Sequence, residues 1–229
     1  MARPKIILLI SVLIITFILL CGTLIAEKQF LLVSVLFMLG TFLPFMIRFE
    51  RRKVMGRELV ILAILAAIAA VSRVPFASIP SVQPTTFVII VTGFVFGAES
   101  GFVVGALAAL VSNLFLGQGP WTPWQMYAWG MIGLCAGFLR GTWIQVSPIG
   151  RAIFGFITGI LFGWMMNLWY FVSLGDDIKL VEFLAYYGAS LYFDLAHAIS
   201  NVFFLLLFAT GWMKILQRFR KKYGLLEVK

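Results

Sequence analysis

The chain has 229 residues, of which 62% are hydrophobic, 12% are charged and 23 are phenylalanine. About a quarter of the residues are charged in an ordinary soluble domain, and a soluble fold of this size could not bury so much apolar surface. The net charge of +9 comes from short basic clusters between apolar runs, without a basic stripe of interleaved aromatics. Composition therefore predicts an all-α integral membrane protein and excludes a nucleic-acid-binding role.

Eight apolar runs, separated by charges or by Gly/Pro turns, predict eight transmembrane helices in total. The first run has a longer apolar stretch than a signal peptide and no small-residue cleavage site, so we predict an uncleaved span. The fourth run is shorter than the ~20 residues that cross a bilayer, which indicates a short or broken helix. The predicted spans are roughly 6–25, 30–47, 58–74, 86–98, 101–116, 125–140, 151–173 and 190–213.

The basic cluster at residues 48–53 divides the chain into two predicted domains. Residues 1–53 form an N-terminal two-helix transmembrane hairpin with almost no polar residues inside the membrane. Residues 54–229 form a six-helix substrate-binding core with a basic cytoplasmic C-terminal tail, and they carry nearly all the intramembrane polar groups. The chain shows no internal repeat, which weighs against an inverted-repeat secondary transporter.

The distribution of lysine and arginine predicts the orientation. With the N-terminus in the cytoplasm, fifteen basic residues fall inside and only Lys28, Arg73 and Lys179 fall outside. Cytoplasmic loops carry the excess of positive charge in membrane proteins. We therefore expect a multi-pass protein of the cell membrane with both termini cytoplasmic.

The polar residues of the predicted core lie in its outer half. Asp194, His197 and Asn201 follow helical spacing on one face of the last span, and Asn167, Asn113 and Arg73 reach a similar depth on other spans. Polar groups in lipid are costly and usually face a cavity or one another. Since the inner halves lack such groups, we expect a binding cavity that opens outward and is closed below.

Three predicted outer loops lie above this cavity, at residues 74–84, 117–125 and about 174–189. They combine prolines, tryptophans and tyrosines, which suit a ring-containing organic ligand, although an interfacial aromatic belt would give a similar pattern. The candidate substrate-binding residues are Arg73, Gln83, Asn113, Gln118, Trp121, Trp124, Tyr127, Asn167, Tyr187, Asp194, His197 and Asn201.

Several kinds of chemistry are missing from the sequence. It contains no P-loop motif and no Gly-x-Ser-x-Gly, and its one histidine allows neither HExxH nor a His-rich metal site. We therefore expect no catalytic residues, no metal site and no permanently bound cofactor. Small residues recur at every fourth position, in glycine rows beginning at Gly133 and Gly155 and on an alanine face at residues 62–70, and such faces allow close helix packing.

The six-helix core over about residues 55–215, the alanine face at 62–70 and the segment Asn113–Met126 resemble the S components of energy-coupling factor (ECF) importers. The resemblance implies a subunit that binds a scarce vitamin beneath its outer loops. It also implies a transmembrane scaffold protein and two cytoplasmic ATPases as partners, with ATP used by the partners. In that family the alanine face meets the scaffold, which corresponds here to Ala63, Ala67 and Ala70.

The substrate is a further hypothesis. Cobalamin is the first candidate, because a wide aromatic cavity and His197 as a possible cobalt ligand would suit it. Riboflavin, thiamine, other vitamins and a modified-base precursor remain open, whereas nickel and cobalt importers are disfavoured because residues 1–4 contain no histidine. Two other functional classes remain as alternatives: a self-sufficient secondary transporter and a membrane enzyme that uses Asp194 and His197.

Overall fold

The computed structural model describes residues 55–174 and 180–225, together with the single positions Leu36 and Gly40. The predicted hairpin at 1–53, and with it the total of eight helices, lies outside these described ranges. A 3₁₀ turn (Val74–Phe76) follows the first helix. The α-helices are α1 (Gly56–Val71), α2 (Thr85–Phe96), α3 (Ala98–Leu116), α4 (Thr122–Phe138), α5 (Trp143–Val146), α6 (Pro148–Leu174) and α7 (Leu180–Tyr223).

Apart from the four-residue α5, these helices correspond to the six core helices predicted from residue 58 onward. Four of the described stretches are long and apolar enough to cross a membrane: Gly56–Phe76, Ala98–Leu116, Pro148–Tyr170 and Val181–Tyr223. Helix α2 is apolar but short, as predicted, at 12 residues or about 18 Å. All twelve of its residues are buried, so α2 is enclosed by other helices and does not need the length of a lipid-exposed span.

Two close helix pairs, α3 with α4 and α6 with α7, make the most extensive contacts of the bundle. Where α3 crosses α4, a Cβ added to Gly101 would meet the backbone of Gly133, and one added to Gly133 would meet the backbone of Gly101. Glycine at both positions therefore lets the two backbones touch. Gly141, the third glycine of the predicted row, instead adopts φ +81° after α4 and has open space around it.

Helix α7 is much longer than the predicted span 190–213. It runs for 44 residues, about 66 Å, which exceeds the ~30 Å hydrocarbon core of a bilayer. The prediction of an outer loop over about 174–189 was wrong from Leu180 onward, where the chain is already helical. Residues 180–189 are mostly apolar, with Glu182 as their one charge, so the loop prediction rested on their tyrosines and not on a polar composition. The basic turns near Arg220 lie beyond the apolar run.

The bundle has two different ends. Residues 72–84, which we call the capping segment, connect α1 to α2 at one end, and we call this the capped end. The opposite end is held by Arg151, which is buried. Its Nη1 donates to the Gln145 carbonyl at 2.8 Å and its Nη2 donates to Thr210 Oγ1 at 2.8 Å. Gln145 Nε2 in turn donates to the Phe94 carbonyl at 3.1 Å, so this end is closed by bonds joining α2, α5, α6 and α7.

Candidate functional site

A cavity of about 320 Å³ lies at the capped end, between α6 and α7 and beside the capping segment. Its volume is at the lower end of the range of small-molecule pockets, about 300–1,000 Å³. Four of the twelve predicted substrate-binding residues line it. The lining residues are Ser81, Gln83, Phe162, Gly163, Met166, Asn167, Tyr186, Ala189, Ser190, Phe193, Asp194 and His197.

One wall of the cavity is organised by Ser190 on α7. Its hydroxyl is 2.6 Å from Asn167 Nδ2, which donates to it, and 3.2 Å from Asp194 Oδ2. It also lies 3.1 Å from the Tyr187 carbonyl. Because Asn167 is on α6 and the others are on α7, these bonds fix the two helices relative to each other at the depth of the cavity.

Asp194 approaches α6 closely because it packs against a glycine. A Cβ added to Gly163 would overlap the Asp194 carboxyl group, and the atom nearest to it would be Oδ1. Asp194 is only 4% exposed, and its carboxylate borders the cavity next to Phe162. The spacing of glycines on α6, read from sequence only as a packing face, therefore also makes room for a functional side chain.

The floor of the cavity is a chain of buried polar and aromatic groups from four helices. Trp129 Nε1 on α4 donates to Thr86 Oγ1 on α2 at 3.0 Å, and Thr86 Oγ1 is 2.9 Å from His197 Nε2 on α7. Phe162 stacks on Trp129 at 5.0 Å between ring centroids and meets His197 edge-on at 4.8 Å. His197 is therefore held rigidly, with Nε2 already bonded to the protein.

Arg73 lies half-buried near the start of the capping segment, two residues after the end of α1. Its Nε donates to Gln83 Oε1 at 2.8 Å, and its Nη1 donates to Ser112 Oγ at 2.6 Å and to Asn113 Oδ1 at 3.0 Å. The guanidinium also lies 5.0 Å from the centre of the Trp129 ring. These groups are all neutral, so dipoles and an aromatic face hold the positive charge. Through Gln83, Arg73 reaches the cavity wall indirectly.

Asn113 and Gln118 belong to the support of Arg73 and do not line the cavity. Asn113 Nδ2 donates to Thr122 Oγ1 at 3.0 Å and to Gln125 Oε1 at 2.8 Å, which leaves its oxygen for Arg73. Thr122 Oγ1 donates to Gln118 Oε1 at 2.9 Å, and Gln118 Nε2 donates to the Leu110 carbonyl at 2.9 Å. This network joins the end of α3 to the start of α4.

The predicted aromatic residues lie to one side of the cavity. Trp124 is fully buried and packs with Tyr127, while Trp121 stacks on Trp169 at 6.0 Å. Tyr127 and Tyr187 line a second cavity of about 410 Å³ between α4 and α6, which is almost entirely apolar. Because specific recognition needs placed polar groups, we assign the functional site to the polar cavity.

Asn201 and the alanine face have separate positions. Asn201 is fully buried, with Nδ2 donating to the Gly155 carbonyl at 3.1 Å, and it does not line the cavity. Ala63 and Ala67 are exposed on α1, whereas Ala70 is fully buried in the core and so does not share their face.

Several residues that shape the site were missed from sequence. Tyr186 and Ser190 lie on the same face of α7 as Asp194, at intervals of four residues. That spacing would have identified them had the last helix been extended to Leu180. Thr86 gave no signal, since a single threonine in an apolar helix is common. Within the described ranges, no three His, Cys, Asp or Glu side chains come together as a metal site.

Comparison with known proteins gives two matches. The family model for the ECF transporter, substrate-specific component, matches residues 57–221. A UPF0397 protein of Vibrio atlanticus (strain LGP32) is 29% identical over 87 residues, which cover 36% of this chain and 47% of that protein. The match thus spans about half the length of that curated relative. No solved structure matches the chain.

Proposed function

The chain belongs to the family of ECF transporter substrate-specific components, and is thus a multi-pass membrane protein; from this premise we propose that it captures a vitamin-like small molecule and passes it to an ECF importer. The observation that carries the proposal is the cavity at the capped end. Acidic, amide and imidazole groups converge there from α6, α7 and the capping segment, with aromatic rings beside them. Such a mixture is typical of a binding site for a polar ring compound.

The capped end faces the outside of the cell in this proposal. The basic turns at the end of α7, including Arg218, Arg220, Lys221 and Lys222, then lie in the cytoplasm, as the positive-inside rule requires. Both termini are cytoplasmic in this arrangement. The hydrogen bonds of Arg151 close the cytoplasmic end, so a ligand enters from outside and is retained.

Transport requires partners in this proposal: a transmembrane scaffold protein and two cytoplasmic ATPases, which bind and hydrolyse the ATP. Helix α1 presents an exposed apolar face that includes Leu59, Val60, Ala63, Ile64 and Ala67. Small side chains let another helix approach closely, which supports this face as the scaffold contact. The protein itself acts as a binding subunit and not as an enzyme.

The cavity favours a ligand smaller than cobalamin. A corrin ring with its attached nucleotide exceeds about 320 Å³, whereas one or two fused heterocyclic rings fit. His197 Nε2 is bonded to Thr86 and the ring is only 3% exposed, which disfavours it as a cobalt ligand. We therefore place thiamine-sized or pterin-sized ligands ahead of cobalamin, with riboflavin as the larger alternative.

Binding to the purified full-length chain tests this function. We expect a thermal shift and a calorimetric signal with at least one vitamin from a panel of cobalamin, riboflavin, thiamine and pterin. Asp194→Asn should weaken that binding about tenfold or more, because it alters a polar group at the wall. Tyr192→Phe is the matched control, since Tyr192 is 72% exposed on the same helix. Equal loss of binding in both variants would contradict a site at this cavity.

Purification from the native membrane and transport assays test the partners. We expect the tagged chain to recover a scaffold protein and two ATPases. Uptake into proteoliposomes that hold the chain alone would instead identify a secondary transporter, and a new product formed from the ligand by the purified chain would identify an enzyme. Either result would refute the proposed division of labour.

A further inference from the structure

The polar groups of the cavity present a fixed pattern of donors and acceptors, and that pattern indicates a chemical class of ligand. On the α6–α7 wall, the carboxylate of Asp194 can only accept, and so can the Tyr187 carbonyl. The single proton of Ser190 therefore goes to one of them, at 3.2 and 3.1 Å. Ser190 must then accept from Asn167, which orients that amide with Nδ2 toward Ser190.

Two acceptor atoms are left on this wall. Asp194 Oδ1 and Asn167 Oδ1 have no hydrogen-bond partner among the described groups. Neither atom is among those that are fully buried and unpaired, so both keep some accessible surface. Both residues line the cavity. A ligand edge that carries N–H groups satisfies both oxygens, whereas a carbonyl placed there is repelled.

The capping segment and the floor of the cavity offer donors. A guanidinium can only donate, so the bond from Arg73 Nε fixes the Gln83 amide with its oxygen toward Arg73 and its NH₂ group on the other side. An indole N–H also only donates, so Thr86 accepts from Trp129. Within the described ranges Thr86 has one other partner, His197 Nε2. Accepting from both would leave the buried hydroxyl proton without a partner, so we infer that Thr86 donates to His197 Nε2.

This direction of the bond implies a tautomer for His197. A neutral imidazole that accepts at Nε2 carries its proton on Nδ1, which makes Nδ1–H the remaining polar group of this ring. The cavity therefore combines donors from Gln83 and His197 with acceptors from Asp194 and Asn167. Phe162 and Tyr186 add flat apolar surfaces beside them.

Resting on the proposed function, we propose that the cavity selects an amino-substituted nitrogen heterocycle, such as an aminopyrimidine or a pterin. Its amino and ring N–H groups face Asp194 and Asn167, and its ring nitrogens or carbonyl face Gln83 and His197. Arg73 is a positioning residue in this scheme, because it orients Gln83 without lining the cavity itself. A ring with carbonyls in place of the amino group meets the wall with the wrong polarity.

Matched ligand pairs test the proposal on the full-length chain in nanodiscs. Pterin and lumazine differ by an amino group against a carbonyl, and so do thiamine and oxythiamine. By titration calorimetry we expect the amino member of at least one pair to bind about tenfold tighter or more. Asp194→Asn should bring the ratio of the two dissociation constants close to one, while Tyr192→Phe should keep it.

A second variant covers the case in which Asp194→Asn does not fold. Gln83→Glu lies in the capping segment, outside the helix packing, and replaces the amide donor by a carboxylate beside Arg73. We expect it to weaken pterin and thiamine about fivefold or more without lowering the melting temperature. Arg73→Gln should weaken the same ligands as well, because the Gln83 amide is then free to turn.

Different failures separate this inference from the proposed function. Equal or tighter binding of lumazine and oxythiamine would overturn the inference. Tight binding of riboflavin or cobalamin alone, lost in Asp194→Asn, would overturn it and leave the proposed function standing. If no panel member binds but the chain still recovers a scaffold and two ATPases, the inference is again overturned and the proposed function again stands. Absence of both ligand binding and partners would overturn both proposals.

Discussion

At the scale of single residues, Thr86 shows how one small hydroxyl joins three helices. It is fully buried on α2, accepts a hydrogen bond from Trp129 on α4 and shares a second one with His197 on α7. A buried polar group that loses its partner costs about 1–3 kcal/mol. Thr86 therefore contributes both to stability and to the orientation of the imidazole that lines the cavity.

Thr86→Val keeps the shape of the side chain and removes its hydroxyl. We expect a loss of about 1–3 kcal/mol in stability, since Trp129 Nε1 and His197 Nε2 are both left unpaired. Thr92→Val is the control: Thr92 is equally buried on α2, but its hydroxyl bonds only the Val88 carbonyl of its own helix, at 2.7 Å. Thermal unfolding in detergent measures the difference, and equal melting temperatures for the two variants would contradict this role.

Gly163 gives a second prediction at this scale. In Gly163→Ala, the new methyl group overlaps the Asp194 carboxylate, so the carboxylate must move and ligand affinity should fall about tenfold or more. Gly188→Ala on α7 is the control, because a Cβ there meets nothing within 4 Å. Dissociation constants for the bound vitamin check this. An unchanged affinity in Gly163→Ala would show that the position of Asp194 does not matter for binding.

At the scale of elements, glycine contacts set how closely the helices pack. The crossing of α3 and α4 at Gly101 and Gly133 brings backbone against backbone, where no flexible side chain is able to move aside. In contrast, a Cβ at Gly155 on α6 would first meet the side chain of Leu205, which has rotamers available. Gly133 is therefore less tolerant of a side chain than Gly155, whereas Gly159 on α6 also meets backbone, that of Ala198 on α7.

Gly133→Ala should destabilise the bundle by about 1–3 kcal/mol, the usual cost of overpacking, or more because the opposing atoms are backbone. Gly56→Ala at the exposed start of α1 serves as the control. It meets open space and should be neutral or gain up to about 1 kcal/mol from helix propensity. Chemical or thermal unfolding of the two variants measures this. A Gly133→Ala protein as stable as Gly56→Ala would contradict the close crossing.

At the scale of the whole molecule, the site and the family match lie in the same part of the chain. Residues that line the cavity come from positions 81–197, and the family match covers 57–221. The network that supports Arg73 also lies inside these limits, between Arg73 and Gln125. The described residues that build the site thus all lie on the C-terminal side of the predicted division at residues 48–53.

A chain that starts at residue 54 should bind the vitamin with the same affinity as the full chain, within about twofold. The reason is that the cavity residues identified among the described positions, and their hydrogen-bond partners, lie in the retained part. Titration calorimetry on both proteins measures this, with the melting temperature as the control for folding. A well-folded truncated protein that binds at least tenfold more weakly would assign the first 53 residues a direct part in the site.

The sequence by itself determined the membrane character, the six core helices and the end of the bundle that carries polar groups. These properties follow from the hydropathy and charge of each segment, which can be determined without knowing how that segment packs against the others. Asp194 and His197 were found in the same way, because helical spacing places them on one face. The prediction failed at residues 180–189, where the helix continues through a segment whose tyrosines had indicated an outer loop.

Only the tertiary structure decided which of the polar residues share a cavity. Asn113 and Asn167 look alike in the sequence, yet Asn113 supports Arg73 and Asn167 lines the cavity. The difference arises from the rotation of each helix about its axis and from close contacts such as Gly163 with Asp194. Those depend on how distant segments pack, and the donor and acceptor pattern of the cavity exists only once that packing has oriented each amide and the imidazole.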